Sequence, residues 1–342
     1  MKRLWAAAES FDPRGLPLSL SRSLLAMAQL AFVAFTPDRF LLLSSPAIAR
    51  SSCTGTAGLT LWCVTPASQM CDALNRVFVL LVLFGVLVGF RPRWLCIPHW
   101  YVSFSIAVDV TIADGGTAVA QIMTALLIPA CLADERVWHW RRAAGPMPAA
   151  WRGSSYAAHL VMRVQVAVIY VTAALSKLAY PSWRNGTALR TLAASPQYGA
   201  APAIRSLVER LLAPHAVTAT VTWAAVVSEL SIGLSALLPA GFRRRGLVLA
   251  VCLHASIIVG LGLFSFGLTM IALLLSVQAT ASSERPSTRS SIPESRKTHS
   301  DDFIHDHSAG SIQNLRVGLE SVSSALDVGV RAGVPVDRPT GL

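Results

Sequence analysis

The sequence predicts an all-α fold, a polytopic helical integral membrane protein with about seven to eight transmembrane helices and a disordered C-terminal tail. Three observations carry this. Of 342 residues, 53% are hydrophobic and only 14% charged, where a soluble domain carries roughly 25% charged residues. The apolar residues fall in blocks, several of them near the roughly 17–25 residues that cross about 30 Å of hydrocarbon. No block alternates at period two, so helices rather than barrel strands satisfy the backbone in lipid.

The spans are expected near 18–36, 74–90, 96–113, 117–133, 156–178, 216–238, 246–263 and 264–281. Residues 1–17 form a polar N-terminal segment. The first apolar block starts late for a signal peptide and lacks a clear small-residue cleavage site, so it is expected to be retained. Gly260, Gly262 and Gly267 interrupt the last apolar run, which reads as a kink or a short turn. Seven and eight spans therefore both remain open. Residues 282–342 are rich in Ser, Pro, Arg, Asp and Glu and read as disordered. Within them Ile312, Leu315, Leu319, Val322 and Leu326 repeat at helical spacing, consistent with a short amphipathic helix over 312–327.

The net charge is +11. In a soluble protein that would point to nucleic acid, but here Lys and Arg sit in loops between spans, so nucleic acid is not expected as a partner. With the N-terminus inside, the inner segments hold thirteen cations: Lys2, Arg3, Arg14, Arg22, Arg91, Arg93, Arg136, Arg141, Arg142, Arg152 and Arg243–Arg245. The outer loops hold seven: Arg39, Arg50, Arg76, Arg184, Arg190, Arg205 and Arg210. This asymmetry predicts a cytoplasmic N-terminus in a plasma membrane.

Cys53, Cys63 and Cys71 lie in the 37–73 loop, on the side that can be oxidising, and a Cys53–Cys63 disulfide is the preferred pairing. Unpaired thiols are the alternative. No Cys-x-x-Cys is present, which argues against thiol–disulfide exchange. His305 and His307 are too few ligands to make a metal site, so no metal is expected.

Charged groups inside a bilayer cost about 2.5–3.5 kcal/mol each and mark functional candidates. Here they are Asp109, Arg163, Lys177, Glu229 and His254. Arg163, Tyr170 and Lys177 recur every seven residues and share one helix face, which should point into the bundle toward Asp109 or Glu229. Structural roles compete for each: snorkelling for Lys177, ion pairing for Arg163, Asp109 and Glu229, and an interhelical hydrogen bond for His254. After Lys177, Pro181 ends the span, Trp183 suits the interface and Asn185-Gly186 makes a turn. A loop helix with an aromatic anchor beside a membrane lysine reads as the lid of a buried site, or as a plain interfacial helix.

The stretch from Val168 to Leu189, with Lys177-Leu178, Trp183 and Gly186-Thr187-Ala188-Leu189, resembles the HTTM membrane domain shared with vitamin K-dependent gamma-carboxylase. Asp114-Gly115-Gly116, Glu229, Arg243–Arg245, and His254 followed by Phe264 recur in the family's order. Cys53 with Gly55, the run Leu61-Trp62-Cys63-Val64-Thr65-Pro66, Arg91-Pro92-Arg93, His99-Trp100-Tyr101 and Trp138-His139-Trp140 resemble the sporulation-delaying protein B (SdpB-like) branch. The resemblance covers roughly 18–281.

The carboxylase resemblance implies Lys177 as a base that deprotonates a reduced quinone, with His254 and Glu229 as catalytic partners. Trp183, Gly186, Arg163, Tyr170, Asp109 and Asp114 would line the site. An apolar setting suits such chemistry, because desolvation favours a neutral amine. The residues themselves name no cofactor. The SdpB-like branch implies production or maturation of a secreted antimicrobial peptide, with a peptide precursor and a small partner protein. Two departures weigh against glutamate carboxylation: no large luminal domain follows the last span, and Thr117 stands where an acidic residue is expected. A non-catalytic membrane scaffold and a transporter or immunity-type protein are the alternatives. Transport predicts internal repeats, and the two halves show none.

Overall fold

The computed structural model describes residues 2–36, 53–109, 115–195, 199–200 and 204–279. The expected tail and its amphipathic stretch, His305, His307 and Asp114 lie outside the described residues.

The N-terminal segment forms α1 (Lys2–Glu9) and leads into α2 (Leu16–Phe35), which starts with Pro17 in its first turn, where a missing N–H costs nothing. A short α3 (Leu61–Val64) precedes α4 (Gln69–Val88). Ser68 caps α4 by accepting from the Cys71 N–H, and Gly89 closes it in the left-handed region, the two ends that capping chemistry favours. The helices α5 (Pro92–Asp109) and α6 (Gly115–Leu132) follow. Next come α7 (Ala149–Leu178), the short α8 (Pro181–Arg184), α9 (Ala188–Ala193) and α10 (Arg205–Leu211), then α11 (His215–Leu237), α12 (Ala240–Leu261) and α13 (Phe264–Ser276). Prolines punctuate this half: Pro148 precedes α7, Pro181 starts α8, and Pro214 and Pro239 cap α11 and α12. Among the described residues the only bridge between extended residues joins Phe90 to Trp138.

The fold is that of a polytopic helical membrane protein. Among the described residues six helices (α2, α4, α6, α7, α11 and α12) are long and apolar enough to cross a membrane. With α5 and α13 they form the bundle. Leu25, Met123, Leu127, Val166, Ile232, Leu273 and Leu274 make its main core, and a second cluster gathers Val33, Val79, Leu83, Val102 and Ile106 around the buried Trp62. Leu81, Phe84, Val248 and Val259 are exposed on the same helices. That is the surface a hydrocarbon solvent covers without penalty.

The last apolar run is a hairpin, not a kink. Gly262 stops α12 in the left-handed region, and the Gln278 amide reaches back to the Arg243 carbonyl at 3.3 Å. Gly267 permits the close return, since a Cβ there would stand 2.4 Å from Ile258 Cγ1. The start of α2 and the end of α13 lie at one end of the bundle, where the Ser21 hydroxyl donates to the Ala272 carbonyl at 2.8 Å. Other contacts gather at that end. Arg14 donates to the Gly145 carbonyl and Arg152 to the Glu9 carbonyl. Ser19 donates to the His139 carbonyl, Ser23 to that of Leu87, and Arg163 and Arg243 both to that of Leu238.

His139, in the α6–α7 loop, is 2% exposed, with Arg22 Nη1 3.1 Å from its Nδ1. Burial, helped by Arg22 and Arg136, pushes its imidazole down to about 3, against the smaller opposing pull of Asp134. An unfolded histidine titrates near 6.5, so between about pH 6.5 and 3 the unfolded chain binds more protons and folded-state stability falls as pH falls. The unfolding temperature of detergent-purified protein is expected to drop between pH 7.5 and 5. His139→Asn should shrink that drop, and an unchanged drop would show that His139 does not carry it.

Candidate functional site

The site is built on the C-terminal half of α7 and closed by the loop that follows. Tyr170 and Lys177 lie seven residues apart, two turns and about 10 Å along one face. Pro181 turns the chain at the top of α7 and brings the Trp183 ring over the Lys177 ammonium, 5.3 Å from Nζ to the ring centroid. That is cation–π range. Asn185 organises the next turn, its Oδ1 accepting from the Thr187 N–H at 3.1 Å and hydroxyl at 2.7 Å.

Gly186 has φ of +77°, and a Cβ there would stand 2.6 Å from Ala219 Cβ and 2.7 Å from Ala219 Cα on α11. The missing side chain lets the loop lie directly on that helix. Thr222, fully buried, ties it down by donating to the Gly186 carbonyl at 3.1 Å.

Beneath this cover Lys177 Nζ donates to both Glu229 oxygens at 2.8 Å and to the Ala173 carbonyl at 3.3 Å. Both side chains are largely withdrawn, at 23% and 13% exposed. One level deeper, the Tyr170 hydroxyl lies 2.7 Å from His254 Nε2. The imidazole is also packed by Phe266, with ring centroids 5.7 Å apart. Tyr170 and His254 are each 2% exposed. His254 Nδ1 is buried and has no hydrogen-bond partner among the described residues. With the Tyr170 hydroxyl donating to Nε2, the proton of the ring sits on that orphaned Nδ1. Gly233 of α11 makes room for Tyr170, since a Cβ there would touch Tyr170 Cβ at 3.1 Å. Three spans and one loop thus bring together an acid, an amine, a phenol and an imidazole.

Arg163 does not join them. Its guanidinium donates to the Ala236, Leu237 and Leu238 carbonyls at 2.8, 3.0 and 3.2 Å. The shared face is real, but α7 is long enough that its first half lies beside the last turn of α11, whose orphan carbonyls attract a cation. Asp109 is buried in the last turn of α5, a helix that packs on α4 and α6. Cys53 and Cys63 are joined by a disulfide with Cα atoms 5.6 Å apart, and Cys71 is a free thiol. Among the described residues no group of three His, Cys, Asp or Glu could hold a metal.

Sequence reasoning missed Thr222 and Ala219, a threonine and an alanine among many in apolar spans. It also placed Arg22 with the inner flanking charges, whereas Arg22 is 2% exposed and lies against His139. Its depth, seven residues into α2, was the available signal.

No protein-family model matches the chain, and no solved structure matches it. The chain is 29% identical over 270 residues to "Uncharacterized protein YitO" of Bacillus subtilis (strain 168), spanning 75% of this chain and 82% of that protein. It is likewise similar to sporulation-delaying protein SdpB of the same organism, 27% identical over 268 residues that span 78% of this chain and 82% of SdpB.

Proposed function

We propose that this chain is an SdpB-like HTTM protein of the plasma membrane, N-terminus cytoplasmic, that takes part in producing or maturing a secreted antimicrobial peptide through proton transfer at Lys177. The similarity to SdpB over most of both chains supports the family and the physiological role. The observation that carries the chemistry is the withdrawn Lys177–Glu229 pair at 2.8 Å under Trp183. In an apolar site the passage of a proton from amine to carboxylate removes the cost of two buried ions. Lys177 can therefore hand a proton to Glu229 and take one from a substrate. The orphaned Nδ1–H of His254 is the donor that would meet an oxygen of the reduced quinone that the carboxylase resemblance implies. When bound, that group would supply an acidic hydroxyl within the membrane. Tyr170 would hold the imidazole in place, and Trp183 would exclude water from the amine.

A second reading, a non-catalytic scaffold presenting a peptide precursor to its processing machinery, is favoured by one observation. All three Lys177 donors are already satisfied, by two carboxylate oxygens and a carbonyl. Separate replacement of Lys177 by Arg, Ala and Gln distinguishes the two. Secreted peptide is measured beside membrane abundance of each variant. Loss of output in all three at unchanged abundance is the expected result, since an arginine does not release its proton at working pH. Output preserved by Lys177→Arg would make Lys177 an anchor and the scaffold reading correct.

A further inference from the structure

At the arginine-rich end of the bundle the α4–α5 and α6–α7 loops are locked together. The Arg91 N–H donates to the Val137 carbonyl at 2.8 Å, the His139 N–H to that of Gly89 at 2.9 Å, and Phe90 bridges to Trp138. The lock holds Arg91 at φ of +32°, and among the described residues it is the only non-glycine with positive φ. Such strain persists only where the surroundings over-determine it, and it concentrates at binding and functional sites.

Between the loops lies a cleft of about 180 Å³ lined by Arg91, Arg93, Trp94, Asp134, Glu135 and Arg136. Its carboxylates are already matched: Asp134 pairs with Arg136 at 2.7 Å and Glu135 with Arg93 at 2.9 Å. Arg91 is left over, an exposed guanidinium whose neighbour is the Phe90 ring at 5.9 Å. Trp94 lines the cleft, and Trp138 and Trp140 stand exposed on the α6–α7 loop beside it, as indoles do at the headgroup level of a bilayer. Ile97, one turn along α5 from Trp94, and Phe84 on α4 are also exposed and continue the surface toward the hydrocarbon.

We propose that this cleft binds the phosphate headgroup of an anionic phospholipid, with Arg91 as the phosphate-binding residue and acyl chains running over Ile97 and Phe84. A planar guanidinium can meet two phosphate oxygens at once. A basic pocket with an indole at the membrane boundary selects a charged headgroup over a zwitterionic one. The exposed Trp94, Ile97 and Phe84 favour a lipid over free phosphate, because they offer apolar surface that a free anion would leave uncovered.

The full chain purified in a neutral detergent provides the test. Its unfolding temperature is read with added phosphatidylglycerol, phosphatidylcholine or inorganic phosphate, for the native sequence and for Arg91→Gly. Glycine adopts positive φ freely, so this variant removes the cation while keeping the loop, and on its own it should unfold no lower than the native protein. Phosphatidylglycerol is expected to raise the native unfolding temperature by several degrees more than phosphatidylcholine, and Arg91→Gly to lose most of that difference. Equal effects of the two lipids, or an increment undiminished in Arg91→Gly, would overturn the proposal. Inorganic phosphate reproducing the full increment would reassign the cleft to a free anion and overturn the lipid assignment.

Discussion

Glu229→Ala is expected to cost about 3 kcal/mol of stability, at the low end of what breaking a buried ion pair costs, because both partners retain some exposure. The cost comes from what is left behind. Lys177 has two of its three hydrogen bonds to Glu229, so without the carboxylate its ammonium sits uncompensated under Trp183, two turns above Tyr170. Lys177→Met combined with Glu229→Leu should recover most of that loss, since it removes both charges and keeps apolar volume on α7 and α11. Stability and function then separate. The double variant is expected at near-native abundance with no peptide output. Chemical unfolding of the purified variants in detergent checks the first part, and the peptide assay the second. A double variant that folds well and still supports output would show the pair to be structural. A Glu229→Ala protein as stable as the native one would show that the two side chains are not paired in the membrane.

Gly186→Ala is expected to lift the loop from α11. Two penalties act together. The φ of +77° strains any residue with a Cβ, at about 1 kcal/mol, and the added methyl would overlap Ala219 backbone and side chain at under 3 Å. Overpacking of that kind costs about 1–3 kcal/mol further, and an α11 backbone atom cannot rotate away. The relief available to the chain is movement of the loop, which breaks the Thr222–Gly186 hydrogen bond and carries Trp183 off Lys177. Thr222→Val, which removes the same hydrogen bond without adding bulk inside the turn, should cost only about 1 kcal/mol. Intrinsic tryptophan emission and accessibility of a cysteine introduced at position 183 report the displacement. Gly186→Ala protein with native Trp183 burial would contradict this account of the lid.

Much of the bundle is legible in the sequence. Each expected span has a helix in the structure, because one-dimensional hydropathy is a direct readout of which segments lipid can solvate. An end was legible where proline stops a helix, as at Pro181. The turn at Gly262 was visible only as an ambiguity. Whether a glycine-rich run bends or reverses depends on what the returning helix packs against, and here the close contact of Gly267 with Ile258 and the bond from Gln278 to Arg243 decide it.

The candidate site divides in the same way. Sequence alone determined which residues are costly in a membrane and that Tyr170 and Lys177 share a face, since desolvation cost and helical period are local properties. Only the tertiary structure decided the partners. It sent Lys177 to Glu229, Tyr170 to His254, and Arg163 to the closing carbonyls of α11, although Arg163 has the same spacing as the others. Partner choice depends on the relative height and rotation of neighbouring helices. Those are set by close packing at small residues such as Gly186, Ala219 and Gly233, whose importance lies in the space they leave and so leaves no chemical mark in the chain.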